Sequence, residues 1–111
     1  MDYDNLYSFY NRIDLIGISN VGEFKDVVSE IRYFFVGTDQ KGDVRERLFV
    51  LNINTDNLNK KTFIPLDKVT KETLTSWLVQ HTNPINLNSM KKSIHEMFVP
   101  PILYRDFQSF F

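Results

Sequence analysis

Alternating apolar and polar residues mark two neighbouring segments of the chain as β-strands. Residues 26–36 alternate, and residues 44–54 resume the alternation after a polar segment, residues 37–43, that contains two glycines. A period of two is typical of strands, and glycines in a short polar segment favour a turn. One face of the first strand comprises Val27, Ile31, Tyr33 and Phe35, and the other comprises Val28, Glu30, Arg32 and Phe34. The pattern therefore predicts an antiparallel β-hairpin.

The second strand of this hairpin has one apolar face and one mixed face. The apolar face comprises Phe49, Leu51 and Ile53, and the mixed face comprises Leu48, Val50, Asn52 and Asn54. Antiparallel sheets commonly bury one face and leave the other accessible, so the mixed face is predicted to contact solvent or a partner. Arg45 and Arg47 share the face of Phe49, a placement typical of charged residues on an edge strand.

Two helices are predicted after the hairpin. Thr70 is a suitable N-cap for the first, and Asn83-Pro84 ends it. Asn86 or Asn88 then caps the second, and Pro100-Pro101 ends that one. Helical spacing predicts one face with Leu74, Trp77, Leu78 and His81, and another with Leu87, Met90, Ile94, Met97 and Phe98.

The two ends of the chain are rich in aromatic residues and give weaker patterns. Residues 1–10 fit either one helical turn or an extended arm, whereas Ile13, Leu15, Ile16 and Ile18 fit a short strand. Residues 102–111 follow the double proline and read as an apolar, aromatic arm.

These elements predict an α+β fold. We expect an antiparallel β-hairpin or three-stranded sheet packed against two C-terminal helices, with extended N- and C-terminal arms. A length of 111 residues suits a single domain with one core. We divide residues 1–111 into an N-terminal arm or strand (1–22), a core (23–98) and a C-terminal aromatic arm (99–111).

Charge and composition argue against several classes of partner. Thirteen basic against fourteen acidic residues give a net charge of -1, which offers no basic stripe for nucleic acid. The absence of cysteine excludes a disulfide framework, a thiol nucleophile and a cysteine-based zinc site. No apolar run approaches the roughly 18 residues of a membrane span, and the acidic start is unlike an export signal. We therefore expect neither nucleic acid nor membrane as a partner.

Catalytic and ligand-binding motifs are not evident. The sequence contains no GxSxG, no Walker glycine loop and no GxGxxG. His81 and His95 stand alone, without the spacing that metal sites need. We expect no enzyme activity, no catalytic residue, no metal, no cofactor and no small-molecule substrate.

The terminal aromatic residues are the strongest candidates for a functional surface. They are Tyr3, Tyr7, Phe9 and Tyr10 at one end and Tyr104, Phe107, Phe110 and Phe111 at the other. Aromatic side chains contribute much of the energy of protein interfaces. We expect these residues to dock on neighbouring subunits. The alternative is that both ends fold back onto the core of the monomer.

Three stretches of the sequence carry a resemblance to a known family. The first runs from Gly22-Glu23-Phe24 into the strand from Val27 to Phe35, the second is Gly37-Thr38-Asp39, and the third is the run from Thr62 to Leu78. Together they resemble a small uncharacterised protein family of tailed bacteriophages, notably marine T4-like cyanophages and their relatives. The most specific part is Phe63-Ile64-Pro65 together with Trp77, while Leu66 and Val69 differ from the family's usual tyrosine and leucine. The resemblance covers about residues 22–98 and supplies no catalytic residues.

The resemblance implies a structural protein of the virion. We expect a non-enzymatic virion accessory protein, such as a head decoration, head-tail joining or tail component, that contacts other virion proteins or copies of itself. Terminal aromatic arms and exposed strand edges would supply its assembly contacts. Its localisation would then be the virion, after synthesis in the host cytoplasm. The alternative is a small soluble phage-encoded regulator that binds a host protein.

Overall fold

Three antiparallel strands form one layer of the molecule, and two helices cover one face of that layer. The computed structural model describes residues 2–56, 58 and 63–104. The sheet has the order β1-β2-β3, with β1 at Tyr7–Val21, β2 at Phe24–Asp39 and β3 at Val44–Asn52. The helices are α1 at Lys71–His81 and α2 at Pro84–Phe98, and 3-10 turns lie at Tyr3–Asn5 and Leu66–Lys68. The predicted α+β class, with a sheet and two C-terminal helices, is confirmed.

The first connection in the sheet is a two-residue turn. Val21 pairs with Phe24, and Gly22 between them has a φ of 59°. A glycine with positive φ at the first loop position fits the turn geometry that matches the twist of a hairpin. The segment predicted as an arm or a short strand is thus a long strand that pairs with β2.

The second connection is the predicted turn between β2 and β3. The Asp39 carboxylate accepts hydrogen bonds from the backbone N–H groups of Lys41 and Asp43, at 3.0 and 2.9 Å. Gly42 adopts a φ of 88°, which closes the loop. Aspartate folding back onto nearby backbone donors is a common way to stabilise such turns.

The pairing of the first hairpin has three irregularities, and two of them add a single residue to one strand. Pairing skips Asp14 in β1, between the pairs Ile13–Tyr33 and Leu15–Arg32. It also skips Ser29 in β2, between Gly17–Glu30 and Ile18–Val28. Each extra residue is a β-bulge, which changes the alternation of faces beyond it.

The face predicted for Val27 was wrong because of the bulge at Ser29. Val28, not Val27, joins Ile31, Tyr33 and Phe35 in the core cluster under the helices. The uninterrupted alternation in the sequence had placed Val27 there. Both valines are nevertheless buried.

The core lies between the sheet and the helices. Leu78 and Ile94 from the helices and Ile31 from β2 are almost fully buried. Partly buried residues around this cluster include Phe9 and Ile13 from β1, Phe49 and Leu51 from β3, and Trp77 from α1. Trp77, predicted to be a core residue, is partly buried and packs against the core cluster. Phe63 packs on Phe24, with ring centroids 4.9 Å apart.

Both helices begin at side-chain caps. Thr70 accepts a hydrogen bond from the Thr73 N–H at 3.2 Å, as predicted. The cap of α2 was predicted at Asn86 or Asn88, but the structure has Asn83, whose side chain accepts from the Asn86 N–H at 2.8 Å. Pro84 occupies the first turn of α2, where its missing N–H costs nothing. Asn83-Pro84 therefore starts a helix as well as ending one. Met97, predicted on the apolar face, is largely exposed.

Candidate functional site

The N-terminal aromatic residues predicted as interface anchors pack against α2 and the sheet. Tyr7 is only 9% exposed, and its ring stacks on Phe98 with centroids 4.9 Å apart. Phe9 stacks on Phe35 at 5.2 Å, and Tyr3 contacts the His95 ring at 5.3 Å. For these three residues the structure follows the alternative of folding back onto the core.

Tyr7 is also held by a polar contact. Its hydroxyl lies 2.6 Å from Nδ1 of His95. Burial raises the pKa of the Tyr7 hydroxyl above its ordinary value, and the negative charge of Asp39 raises it further. Tyr7 therefore stays protonated at neutral pH and serves as a structural hydrogen-bonding group.

Two of the predicted anchors remain accessible. Tyr10 is 53% exposed on the face of the sheet away from the helices, and Tyr104 is 88% exposed beyond the double proline. Ile102 and Leu103, which precede Tyr104, are largely exposed as well. Phe107, Phe110 and Phe111 lie outside the described residues. The accessible aromatic candidates therefore belong to two different surfaces.

The face of the sheet opposite the helices carries an apolar patch, which we call the open face. The pairing register places side chains from all three strands on it: Tyr10, Leu15, Phe34, Val44, Leu48 and Val50. Phe34 is half-buried, and the other five are exposed. The mixed face predicted for β3 is part of this patch, so its accessibility to a partner agrees with the expectation. Exposed apolar patches of this kind commonly mark interaction sites.

The charges of the open face are paired within the protein. Arg12 on β1 reaches across β2 to Glu46 on β3 at 2.7 Å, and its guanidinium lies 4.6 Å from the centroid of the Phe34 ring. Arg32 contacts Glu30 at 3.0 Å. Val36, which the register places between Tyr10 and Glu46, is fully buried. The paired side chains are 29–48% exposed, so the open face offers a partner apolar groups with internally paired charges between them.

A second surface is an open groove of ≈ 400 Å³ between β3 and α2, which we call the β3–α2 groove. Its floor is apolar and includes Phe49, Leu51 and Met90. Its rim is polar and includes Arg47, His81 and Ser93, and the Arg47 guanidinium donates to Ser93 Oγ at 2.6 Å. No aspartate or glutamate is among the described residues that line it.

A third depression of ≈ 580 Å³ lies beside β1 and is lined by Ile13, Ile16, Leu66 and Leu74. Asn11, also in its lining, has a buried Oδ1 that finds no hydrogen-bond partner among the described residues. This depression is mainly apolar and suits a nonpolar side chain or a group with an N–H donor better than a charged ligand.

The described residues provide no metal-binding group. His95 is engaged with Tyr3 and Tyr7, and His81 lies on the rim of the β3–α2 groove. In the described ranges, no three His, Cys, Asp or Glu residues are grouped so that they could hold an ion. No helix in the described part of the chain is long and apolar enough to span a bilayer.

The β3–α2 groove was not predicted from the sequence. Its key contact joins Arg47 and Ser93, which are 46 positions apart. The one signal was that Arg45 and Arg47 share the Phe49 face, since this face proves to lie towards α2.

No family model, curated protein or solved structure matches the chain.

Proposed function

We propose that the protein is a non-enzymatic structural or accessory subunit of a tailed-phage virion. It docks on other virion proteins or on copies of itself, as a head decoration, head-tail joining or tail component. The observation that carries the docking role is the open face, where Tyr10 and Leu15 on β1 and Leu48 and Val50 on β3 are exposed on the same side of one sheet. A rigid sheet presents such a patch without the entropy cost of ordering a loop.

The C-terminal segment supplies a second docking element in this proposal. Ile102, Leu103 and Tyr104 are exposed and follow two prolines that restrict the backbone. The resemblance to phage proteins, carried by Phe63-Ile64-Pro65 and Trp77, supports the virion as the setting. The N-terminal aromatics Tyr3, Tyr7 and Phe9 contribute by stabilising the fold.

The test compares a charge placed on the open face with the same charge placed elsewhere. Leu15→Glu introduces a carboxylate into the open face, while Val79→Glu introduces one on α1, where Val79 is exposed as Leu15 is. A truncation that removes residues 104–111 tests the C-terminal arm. Circular dichroism of each variant verifies that the fold is retained.

Two measurements decide the outcome. Light scattering over a concentration series reports self-association, and mass spectrometry of purified phage particles reports incorporation. We expect wild type and Val79→Glu to associate or enter particles, and Leu15→Glu and the truncation to be impaired. A protein that stays monomeric and is absent from particles would contradict the proposal and favour a soluble regulator of a host protein.

A further inference from the structure

Strand β3 is a regular edge strand, and its outer side has no strand partner among the described residues. The sheet order leaves β2 as its only neighbour among the described residues, and the β2–β3 register runs from Glu30–Asn52 to Thr38–Val44 without a shift. The other edge strand, β1, has three irregularities in its pairing. Bulges hinder the addition of a further strand, whereas a regular edge is a template for one. The edge of β3 is therefore the better site for an added strand.

The hydrogen-bonding groups on this edge can be assigned residue by residue. The Ile53 N–H bonds to the Ser29 carbonyl at 2.9 Å, so the odd-numbered residues of β3 direct their backbone towards β2. Alternation then directs the N–H and C=O groups of Glu46, Leu48 and Val50 away from the sheet. The Val44 carbonyl, on the same side, accepts a bond from the Arg45 guanidinium at 3.0 Å.

The side chains beside this edge specify the chemistry of an occupant. Arg45, Arg47, Phe49 and Leu51 point to the side of the sheet that α2 covers, so a strand added to β3 places alternate side chains in the β3–α2 groove. Among the described residues neither arginine has a carboxylate partner, although Arg47 contacts Ser93 and Arg45 lies over Phe98. Their positive charge is therefore available to the added strand.

We infer that the edge of β3 binds an extended, acidic segment of a partner protein as an antiparallel fourth strand. Acidic side chains of the segment face Arg47 and Arg45, and apolar ones face Phe49 and Leu51 in the groove. Charge complementarity favours this occupant because the groove lining has arginine and histidine but no carboxylate. The inference rests on the proposed docking role and names the site and the partner chemistry.

The probe is a synthetic peptide with its ends acetylated and amidated, of sequence Val-Thr-Ile-Thr-Glu-Lys-Glu. In the antiparallel register its first residue lies opposite Leu51 and its last opposite Arg45, so both glutamates face arginines and the lysine faces Glu46. The matched control is Val-Thr-Ile-Thr-Lys-Glu-Lys. Because the whole protein has a net charge of -1, nonspecific attraction would favour the control peptide.

We expect the acidic peptide to bind about tenfold more tightly than the control, as charge pairs at a partly desolvated interface predict. Hydrogen exchange followed by NMR should show new protection at the amides of Glu46, Leu48 and Val50. The amides of Arg47 and Phe49, already bonded to β2, should change little. Equal or tighter binding of the control peptide, or no protection at the three outward amides, would overturn the inference.

Substitutions test the backbone of the β3 edge and the charge of Arg47 separately. Leu48→Pro removes one outward N–H from an edge strand, where proline is tolerated, and should abolish binding of the acidic peptide. Arg47→Gln should weaken that binding about tenfold, whereas Lys92→Gln, the same loss of charge at an exposed position of α2, should not. If Leu48→Pro does not fold, the Arg47 and Lys92 variants still decide the matter.

Failure of this inference is distinguishable from failure of the proposed function. If the protein enters particles but does not bind the acidic peptide, the docking role is supported and the binding site at the β3 edge is contradicted. If the protein binds the peptide at the β3 edge but neither associates nor enters particles, the binding site is supported and the virion role is contradicted. Leu15→Glu, on the opposite edge strand, should leave peptide binding unchanged.

Discussion

The Tyr7 hydroxyl and Nδ1 of His95 lie 2.6 Å apart, which ties the start of β1 to α2 across 88 positions of the chain. The same tyrosine stacks on Phe98, and His95 also contacts Tyr3. This cluster explains why the first aromatic residues belong to the fold of the monomer. It also makes the Tyr7 hydroxyl a defined target for mutation.

Replacing Tyr7 with phenylalanine should lower the free energy of unfolding by about 1 kcal/mol, because the ring contacts remain and one partly buried hydrogen bond is lost. Urea denaturation followed by circular dichroism measures this difference. Tyr10→Phe is the matched control, since Tyr10 is exposed on the open face, and it should change stability by less than about 0.5 kcal/mol. Equal effects of the two substitutions would show that the Tyr7 contact is not stabilising.

Alkaline pH should destabilise the fold through Tyr33. Burial raises the pKa of its hydroxyl above the ordinary value of 10.0, although a hydrogen bond with Thr82 lowers it in part. Above pH 10 the unfolded chain releases this proton while the folded protein still holds it, so the free energy of unfolding falls as pH rises. The contribution of this group is complete below that pH and is lost as pH rises through the raised pKa.

Denaturation curves between about pH 8 and pH 11.5, a range that includes the ordinary tyrosine pKa, test this expectation. Tyr33→Phe should lose less stability across the range than wild type does. Tyr104→Phe, which removes an exposed hydroxyl, should follow the wild-type curve. A Tyr33→Phe curve parallel to wild type would contradict the assigned role of burial.

Gly37→Ala should destabilise the fold by about 1–3 kcal/mol, because a methyl group there overpacks the core. An added Cβ would stand 2.5 Å from Ile94 Cγ2 and 3.2 Å from Phe9 Cε1. Thermal denaturation of Gly37→Ala, Ile94→Ala and the double variant measures the coupling. The double variant should cost less than the sum of the single variants, since Ile94→Ala removes the clashing methyl. Additive costs would place the strain elsewhere.

Asn83→Ala should lower the free energy of unfolding by about 1 kcal/mol through loss of the α2 cap. Asn83→Ser, which retains a side-chain acceptor, should recover most of that loss. Asn88→Ala, at an exposed position inside α2, serves as the control and should be neutral or slightly stabilising. A larger loss of stability for Asn88→Ala than for Asn83→Ala would indicate that Asn88 is the N-cap of α2, one of the two positions predicted from the sequence.

The sequence predicted elements whose signals are local. The period-two pattern of residues 26–36 and 44–54 predicted the hairpin. Thr70, a residue type typical of N-caps, predicted the start of α1. The cap of α2 was misplaced because Asn83-Pro84 is equally suited to end one helix and begin another. Where two helices follow each other closely, a local signal alone does not assign the residue to one of them.

Features that depend on pairing between distant residues were not predictable. The mixed spacing of Ile13, Leu15, Ile16 and Ile18 looked irregular because Asp14 is bulged, and a bulge is defined by the partner strand. The β3–α2 groove likewise needs Arg47 from the sheet and Ser93 from a helix. Tertiary contacts decide these placements, and no local propensity encodes them.

The stacking of Tyr7 on Phe98 brings the start of β1 and the end of α2 to the same pole of the molecule. The chain beyond Phe98 therefore leaves from that pole, while the open face and the β3 edge lie along the flank. An arm at one end and a patch along the side are different surfaces, so one copy can dock its arm on the patch of another. Copies of this chain joined in that way would form a two-fold dimer if each arm docks on the other copy, and a ring or continuous filament if the contacts run in one direction.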